Sequence, residues 1–120
     1  MIGSIESVVL DCPDPASLAR FYAELLGGEI VVDDNDWTEV ALPSGRPLLA
    51  FQQVVGYNPP QWPGQDVPQQ FHIDVRVADL DTGEAEILKL GATKTGDEHP
   101  TFRVYLDPAG HPFCLVTGND

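Results

Sequence analysis

Apolar and polar residues alternate from Gln70 to Val77. Phe71, Ile73, Val75 and Val77 fall on one parity; His72, Asp74 and Arg76 fall on the other. A period of two predicts a half-buried strand, and its polar side mixes an imidazole, a carboxylate and a guanidinium. Two readings of that side stay open: the lining of a polar cavity, or the solvated face that antiparallel sheets often keep. Upstream, Ile5, Val8, Val9 and Leu10 predict a strand over Ser4–Asp11. Asp14 then stands as an N-cap with Pro15 at the first helical position. Leu18, Phe21, Tyr22, Leu25 and Leu26 form a helical stripe that Gly27-Gly28 ends. Strands are expected at Glu29–Asp33, Asp36–Leu42 and Pro47–Val54, separated by turn residues. The stretch Gly56–Pro68 is rich in Pro and Gly, has no period and reads as a connector. After it the opening pattern returns: a strand at Gln70–Val77, a cap at Asp79, a helix over Leu80–Leu90 and a stop at Gly91. Strands near Thr93–Gly96, Phe102–Asp107 and Phe113–Val116 complete it.

The return is a repeat. At an offset of 65, Asp14 meets Asp79, Leu25 meets Leu90, Pro43 meets Pro108, Gly45 meets Gly110 and Pro47 meets Pro112. Both halves therefore read strand–helix–strand–strand–strand. The predicted class is α+β: one domain holding two βαβββ modules, about 3–55 and 69–118, with the connector at 56–68. A lone module would leave one sheet face and one edge uncovered. Pairing two of them gives a cupped mixed or antiparallel sheet with helices on its outer face. Val8, Leu10, Ile73 and Val75 then meet the helices, and Ser7, Val9, Asp11, His72, Asp74 and Arg76 line the cup.

Charge narrows the partners. Six Lys and Arg against 19 Asp and Glu leave a net charge of −13, which argues against nucleic acid and against anionic membranes. The N-terminus has no basic region followed by an apolar core, so no export signal is expected. Two cysteines make no disulfide framework, and the reducing cytoplasm is the expected compartment. There is no Gly-x-Gly-x-x-Gly, phosphate loop, Cys-x-x-Cys or His-Glu-x-x-His.

The candidate chemistry sits mainly in the second half. His72 is the candidate acid–base group, balanced against a histidine merely held by a neighbouring carboxylate. Arg76, one of the few cations, is suited to a ligand carboxylate or phosphate, or to an internal pair with Asp74 or Asp11. Arg103 and Tyr105 share a strand face and are expected to add donors to the same cup. Cys114 reads as a small core residue more than as a nucleophile. Trp62 and Tyr57 on the connector either cap the opening or clamp a second subunit.

Several stretches resemble the vicinal-oxygen-chelate superfamily, which includes glyoxalase I, bleomycin-resistance proteins and extradiol dioxygenases. They are Val8-Val9-Leu10-Asp11-Cys12-Pro13-Asp14-Pro15, Phe21-Tyr22 and Leu25-Leu26-Gly27 in the first module. In the second they are Phe71 to Val77, Leu90-Gly91-Ala92 and Leu106 to Phe113. The resemblance implies a divalent metal in the cup, held by the opening and closing strands of each module and polarising paired substrate oxygens. Carried over, the ligand positions are Ser7, then Leu49 or Ala50, then His72, then Cys114. Only His72 keeps the pattern, with Cys114 or Gln52 as helpers, and a catalytic zinc site wants three protein ligands. The expectation is a glyoxalase-like protein that binds a small organic molecule without the usual metal, as a homodimer. His72 is then the catalytic candidate, and Ser7, Asp74, Arg76, Arg103, Tyr105 and Cys114 are the ligand-binding set. The alternatives are a divalent-metal-dependent lyase or dioxygenase with atypical ligands, and a non-catalytic structural or regulatory dimer.

Overall fold

The computed structural model describes residues 1–117. It divides into two compact units, Met1–Asn58 and a second beginning at Pro59. The first holds β1 (Ser7–Cys12), α1 (Pro15–Leu26), β2 (Glu29–Asp33), β3 (Trp37–Leu42) and β4 (Gly45–Gln53). The second holds β5 (Ile73–Arg76), α2 (Leu80–Leu90), β6 (Thr93–Glu98), β7 (Phe102–Leu106) and β8 (Pro112–Val116). Each unit closes its own four-stranded mixed sheet, in the orders β1-β4-β3-β2 and β5-β8-β7-β6. The opening strand runs parallel to the last strand of its unit, and the other pairings are antiparallel. The expected βαβββ repeat is thus present twice; the last residue of the expected second module, Gly118, lies outside the described residues.

The two helices start and stop alike, for one physical reason each. Asp14 accepts hydrogen bonds from the Ser17 backbone N–H at 3.4 Å and its hydroxyl at 2.7 Å; Asp79 accepts from the Thr82 N–H at 2.8 Å and hydroxyl at 2.7 Å. A carboxylate that satisfies open amides at a helix N-terminus is favoured in its charged form. Both caps accordingly ionise below the ordinary aspartate value, chiefly through those bonds. At the other end, Gly27 (φ 68°) and Gly91 (φ 110°) take the left-handed conformation, and each lies against the proline of its own unit's hairpin turn, Pro43 or Pro108.

The core of each unit is the layer between helix and sheet. In the first, α1 lies on β3 and β4. Tyr22, 1% exposed, packs edge-on to Phe21 and stacks on Phe51, which is fully buried. Helix and sheet come close at Gly28, where a Cβ would stand 2.7 Å from Val40 Cγ1 and 2.8 Å from the Ala41 carbonyl oxygen. Gly28→Ala is therefore expected to lower stability by about 1–3 kcal/mol; an unchanged urea midpoint would contradict that close approach. In the second unit, α2 lies on β8, with Leu115 and Val77 against the helix at Gly83.

Two expectations about the opening strands are corrected. The second opening strand begins at Ile73, not Gln70. Gln70 takes φ 68° and the Phe71 N–H donates to the Gln69 carbonyl, so the chain turns there and the alternation does not extend through it. Phe71, placed by its alternation on the same side as Ile73 and Val75, is 61% exposed. The first strand likewise begins at Ser7, leaving Ile5 outside it and 66% exposed. No helix among the described residues is long and apolar enough to cross a membrane.

Candidate functional site

Register decides which side chains share a face. β5 and β8 pair Ile73 with Phe113, Asp74 with Cys114 and Val75 with Leu115. Phe113 and Leu115 face α2, so Cys114, Asp74 and the His72 parity face away from it. There the imidazole Nε2 of His72 lies 3.1 Å from Asp74 Oδ1, with the His72 side chain one-third exposed. Cys114 Sγ completes a cluster whose three donor atoms lie within 4.8 Å of one another. The thiol is buried and hydrogen-bonded to Asp74. Burial first, and then the nearby carboxylates of Asp74 and Asp97, push its ionisation up to about 12. It is a neutral thiol at physiological pH and no nucleophile. Arg76 follows on the same parity, at the Val116 end of β5.

An open recess of about 400 Å³ adjoins this cluster, lined by Trp62, Pro63, Thr95, Gly96, Asp97 and Leu106. The Trp62 ring meets the His72 ring edge-on at a centroid distance of 6.4 Å. β6 reaches the recess through an irregularity: its register with β7 shifts between Lys94 and Glu98, around Gly96 at φ 85°. The bulge is held by the Thr95 hydroxyl, which donates to the Val104 carbonyl at 2.7 Å and accepts from the Asp97 N–H at 3.2 Å. Asp97 Oδ1 then contacts His99 Nε2 at 2.7 Å. The Trp62 indole N–H and Gln69 Oε1 are buried without a hydrogen-bond partner, which places two unmet polar groups on the chain that leads into β5.

Arg103 and Tyr105 are corrected in place. They do share a strand face, but β7 sets Arg103 opposite Leu115 and Tyr105 opposite Phe113, the side covered by α2. Arg103 binds Asp81 at 2.8 Å and approaches Glu84 at 3.5 Å; Tyr105 donates its hydroxyl to Glu84 at 2.8 Å. Their partners are helix carboxylates, and the face of His72 carries Phe102, Val104 and Leu106 from β7 instead. Ser7 and Gln52 belong to the first unit, where Ser7, Val9 and Asp11 share a face with Leu48, Ala50 and Gln52. Of the positions carried over for a metal, Ala50 has no donor and Ser7 a weak one. His72, Asp74 and Cys114 together fit a borderline ion in kind and number. Thr95, Gly96 and Asp97 were missed from sequence; the one signal for them is a glycine inside a strand, the mark of a bulge.

Residues 7–116 match the family described as glyoxalase-like domain. No curated protein matches the chain. Among solved structures, a fosfomycin resistance protein from Listeria monocytogenes superposes with a TM-score of 0.71 at 14% identity, covering 99% of this chain and 94% of that one. A glyoxalase/bleomycin resistance protein/dioxygenase family enzyme from Burkholderia phytofirmans gives 0.68 at 14% identity, covering 96% and 98%. An antibiotic binding protein from a Streptomyces species gives 0.59 at 19% identity, covering 98% of each chain. At these identities the likeness is one of fold.

Proposed function

Because the chain belongs to the glyoxalase-like domain family, we propose that it binds a small organic molecule on the His72 face of its second module, without needing a metal. The observation that carries this reading is the recess of about 400 Å³ against the Trp62–His72 pair, a volume in the range of small-molecule sites. It combines an aromatic wall, an apolar floor at Leu106 and one carboxylate. The two unmet polar groups ahead of β5, on Trp62 and Gln69, give a small rearrangement on binding something to satisfy. A histidine oriented by a carboxylate is also the arrangement of a general base, so His72 is the group that would move a proton on a bound ligand. Binding without chemistry needs only the recess. The solved relatives named for antibiotic binding and fosfomycin resistance support a small-molecule role.

The test is a fragment titration of ¹⁵N-labelled protein with and without EDTA. Shifts are expected at Trp62, His72, Asp97 and Cys114, unchanged by the chelator, and Trp62→Ala is expected to weaken binding by about tenfold, as loss of an aromatic anchor does. Shifts scattered over both units would sink the reading.

A second reading is favoured by the cluster itself. His72, Asp74 and Cys114 are the residues that would hold a divalent ion, and such an ion would supply Lewis-acid polarisation of a substrate oxygen. Stoichiometric Zn²⁺ binding that disappears in His72→Ala, together with fragment binding that EDTA abolishes, would move the assignment to it.

A further inference from the structure

Resting on the binding reading above, we infer that the recess beside His72 takes an organic cation, a protonated amine or amidinium on an apolar body, and rejects anions. The six lining residues include one carboxylate, Asp97, one indole, Trp62, and no Lys or Arg. A cation is attracted by both: it pairs with the carboxylate and sits over the ring face. The Thr95 hydroxyl is already committed to the bulge, so among the lining side chains the donor left over is the uncharged Trp62 indole N–H, and none of the six offers an anion a positive charge.

The surroundings carry the same sign. Asp74, 57% exposed at its side chain, lies just beyond His72. Asp74 lies within 4.8 Å of the Cys114 sulfur and Asp97 lines the recess itself, so two carboxylates border this face. The basic residues that could cancel it are engaged elsewhere. Lys94 lies between Glu84 and Glu98, Arg103 is held by Asp81 and Glu84 on the α2 side, and Arg46 pairs with Glu6 in the first unit. Arg76 shares the His72 parity but sits past Asp74 at the far end of β5 and already has an interaction of its own. Two histidines stand near the recess, and each is held by a carboxylate: His99 by Asp97 and His72 by Asp74. A chain carrying −13 overall adds a long-range field that draws cations in and slows anions.

The experiment compares three probes with one ring and different charge: phenethylamine, 2-phenylethanol and phenylacetate. Each is titrated into the ¹⁵N-labelled full chain at neutral pH, and the Trp62 indole and the Gly96 and Asp97 amides are read. The amine is expected to bind about tenfold more tightly than the alcohol, with phenylacetate weakest. That preference should shrink in about 0.5 M salt, where charges are screened over a few ångströms, and Asp97→Asn should bring the amine down to the alcohol's level. Alcohol or phenylacetate binding as tightly as the amine overturns the inference and leaves the binding reading standing. A preference untouched by both salt and Asp97→Asn also overturns it. No shift with any of the three removes the binding reading, and this inference with it.

Discussion

Replacing Phe113 by alanine is expected to lower stability by about 3–5 kcal/mol, the cost of emptying a ring-sized space in a packed core. Phe113 is fully buried, packs with Tyr105 at a centroid distance of 5.9 Å and faces the helix side of the second sheet. Against a total of about 5–15 kcal/mol for a domain, that loss is between about a fifth and the whole of the stability. Phe71→Ala is the informative control. Its alternation with Ile73 and Val75 marks it as a core residue, yet it is 61% exposed, so the change should cost no more than about 0.5 kcal/mol. Urea midpoints at constant slope separate the two. Equal losses from Phe113→Ala and Phe71→Ala would mean that the opening strand extends through Gln70, against the turn found there.

The second large effect is alkaline lability. The Cys114 thiol ionises near 9 in an open chain and is pushed up to about 12 in the fold, chiefly by burial. The Tyr105 hydroxyl is pushed from 10 up to about 12, by burial and then by its bond to Glu84. Both are acids whose folded value lies above the unfolded one, so the folded state holds its protons more tightly. The stability this represents is fully present below pH 9 for the thiol and below pH 10 for the phenol, and it is lost as pH rises toward 12. At about 1.4 kcal/mol per pH unit per group, the thiol accounts for about 4 kcal/mol and the phenol for about 3. Together these are comparable with the whole stability of the domain, and unfolding is expected as pH approaches 12. Cys114→Ala should remove the first part of the decline, so that stability holds level until pH passes 10. A wild-type curve flat from pH 9 to 11 would show that the thiol is not buried against Asp74.

Much of the architecture was readable before any coordinates. The repeat at an offset of 65 is written in residues with local jobs: aspartates that cap helices, glycines that end them, prolines and glycines in hairpin turns. The second helix, Leu80–Leu90 with Asp79 and Gly91 at its ends, lies where its pattern puts it, because capping and termination are contacts between residues a few positions apart. The grouping of His72 and Asp74 was readable for a similar reason, since strand parity alone puts them on one side.

What parity cannot say is which side of the sheet a strand shows when it is laid against another. Arg103 and Tyr105 were correctly paired with each other and wrongly assigned to the face of His72. Their side is set by the alignment of β7 with β8, and a slip of one residue reverses every side chain of a strand. Asp97 and Thr95 reach the recess through the bulge at Gly96, which shifts the register of β6, and the parallel pairing of β5 with β8 sets Cys114 beside Asp74, a grouping that only the family resemblance, not any local pattern, had suggested. By itself, then, the sequence determined the family, the doubled module, the helix ends and the acidic character of the chain. The tertiary structure decided the membership of the site, because that depends on cross-strand registers between residues tens of positions apart, and those are chosen by burial of the whole sheet rather than by any local pattern.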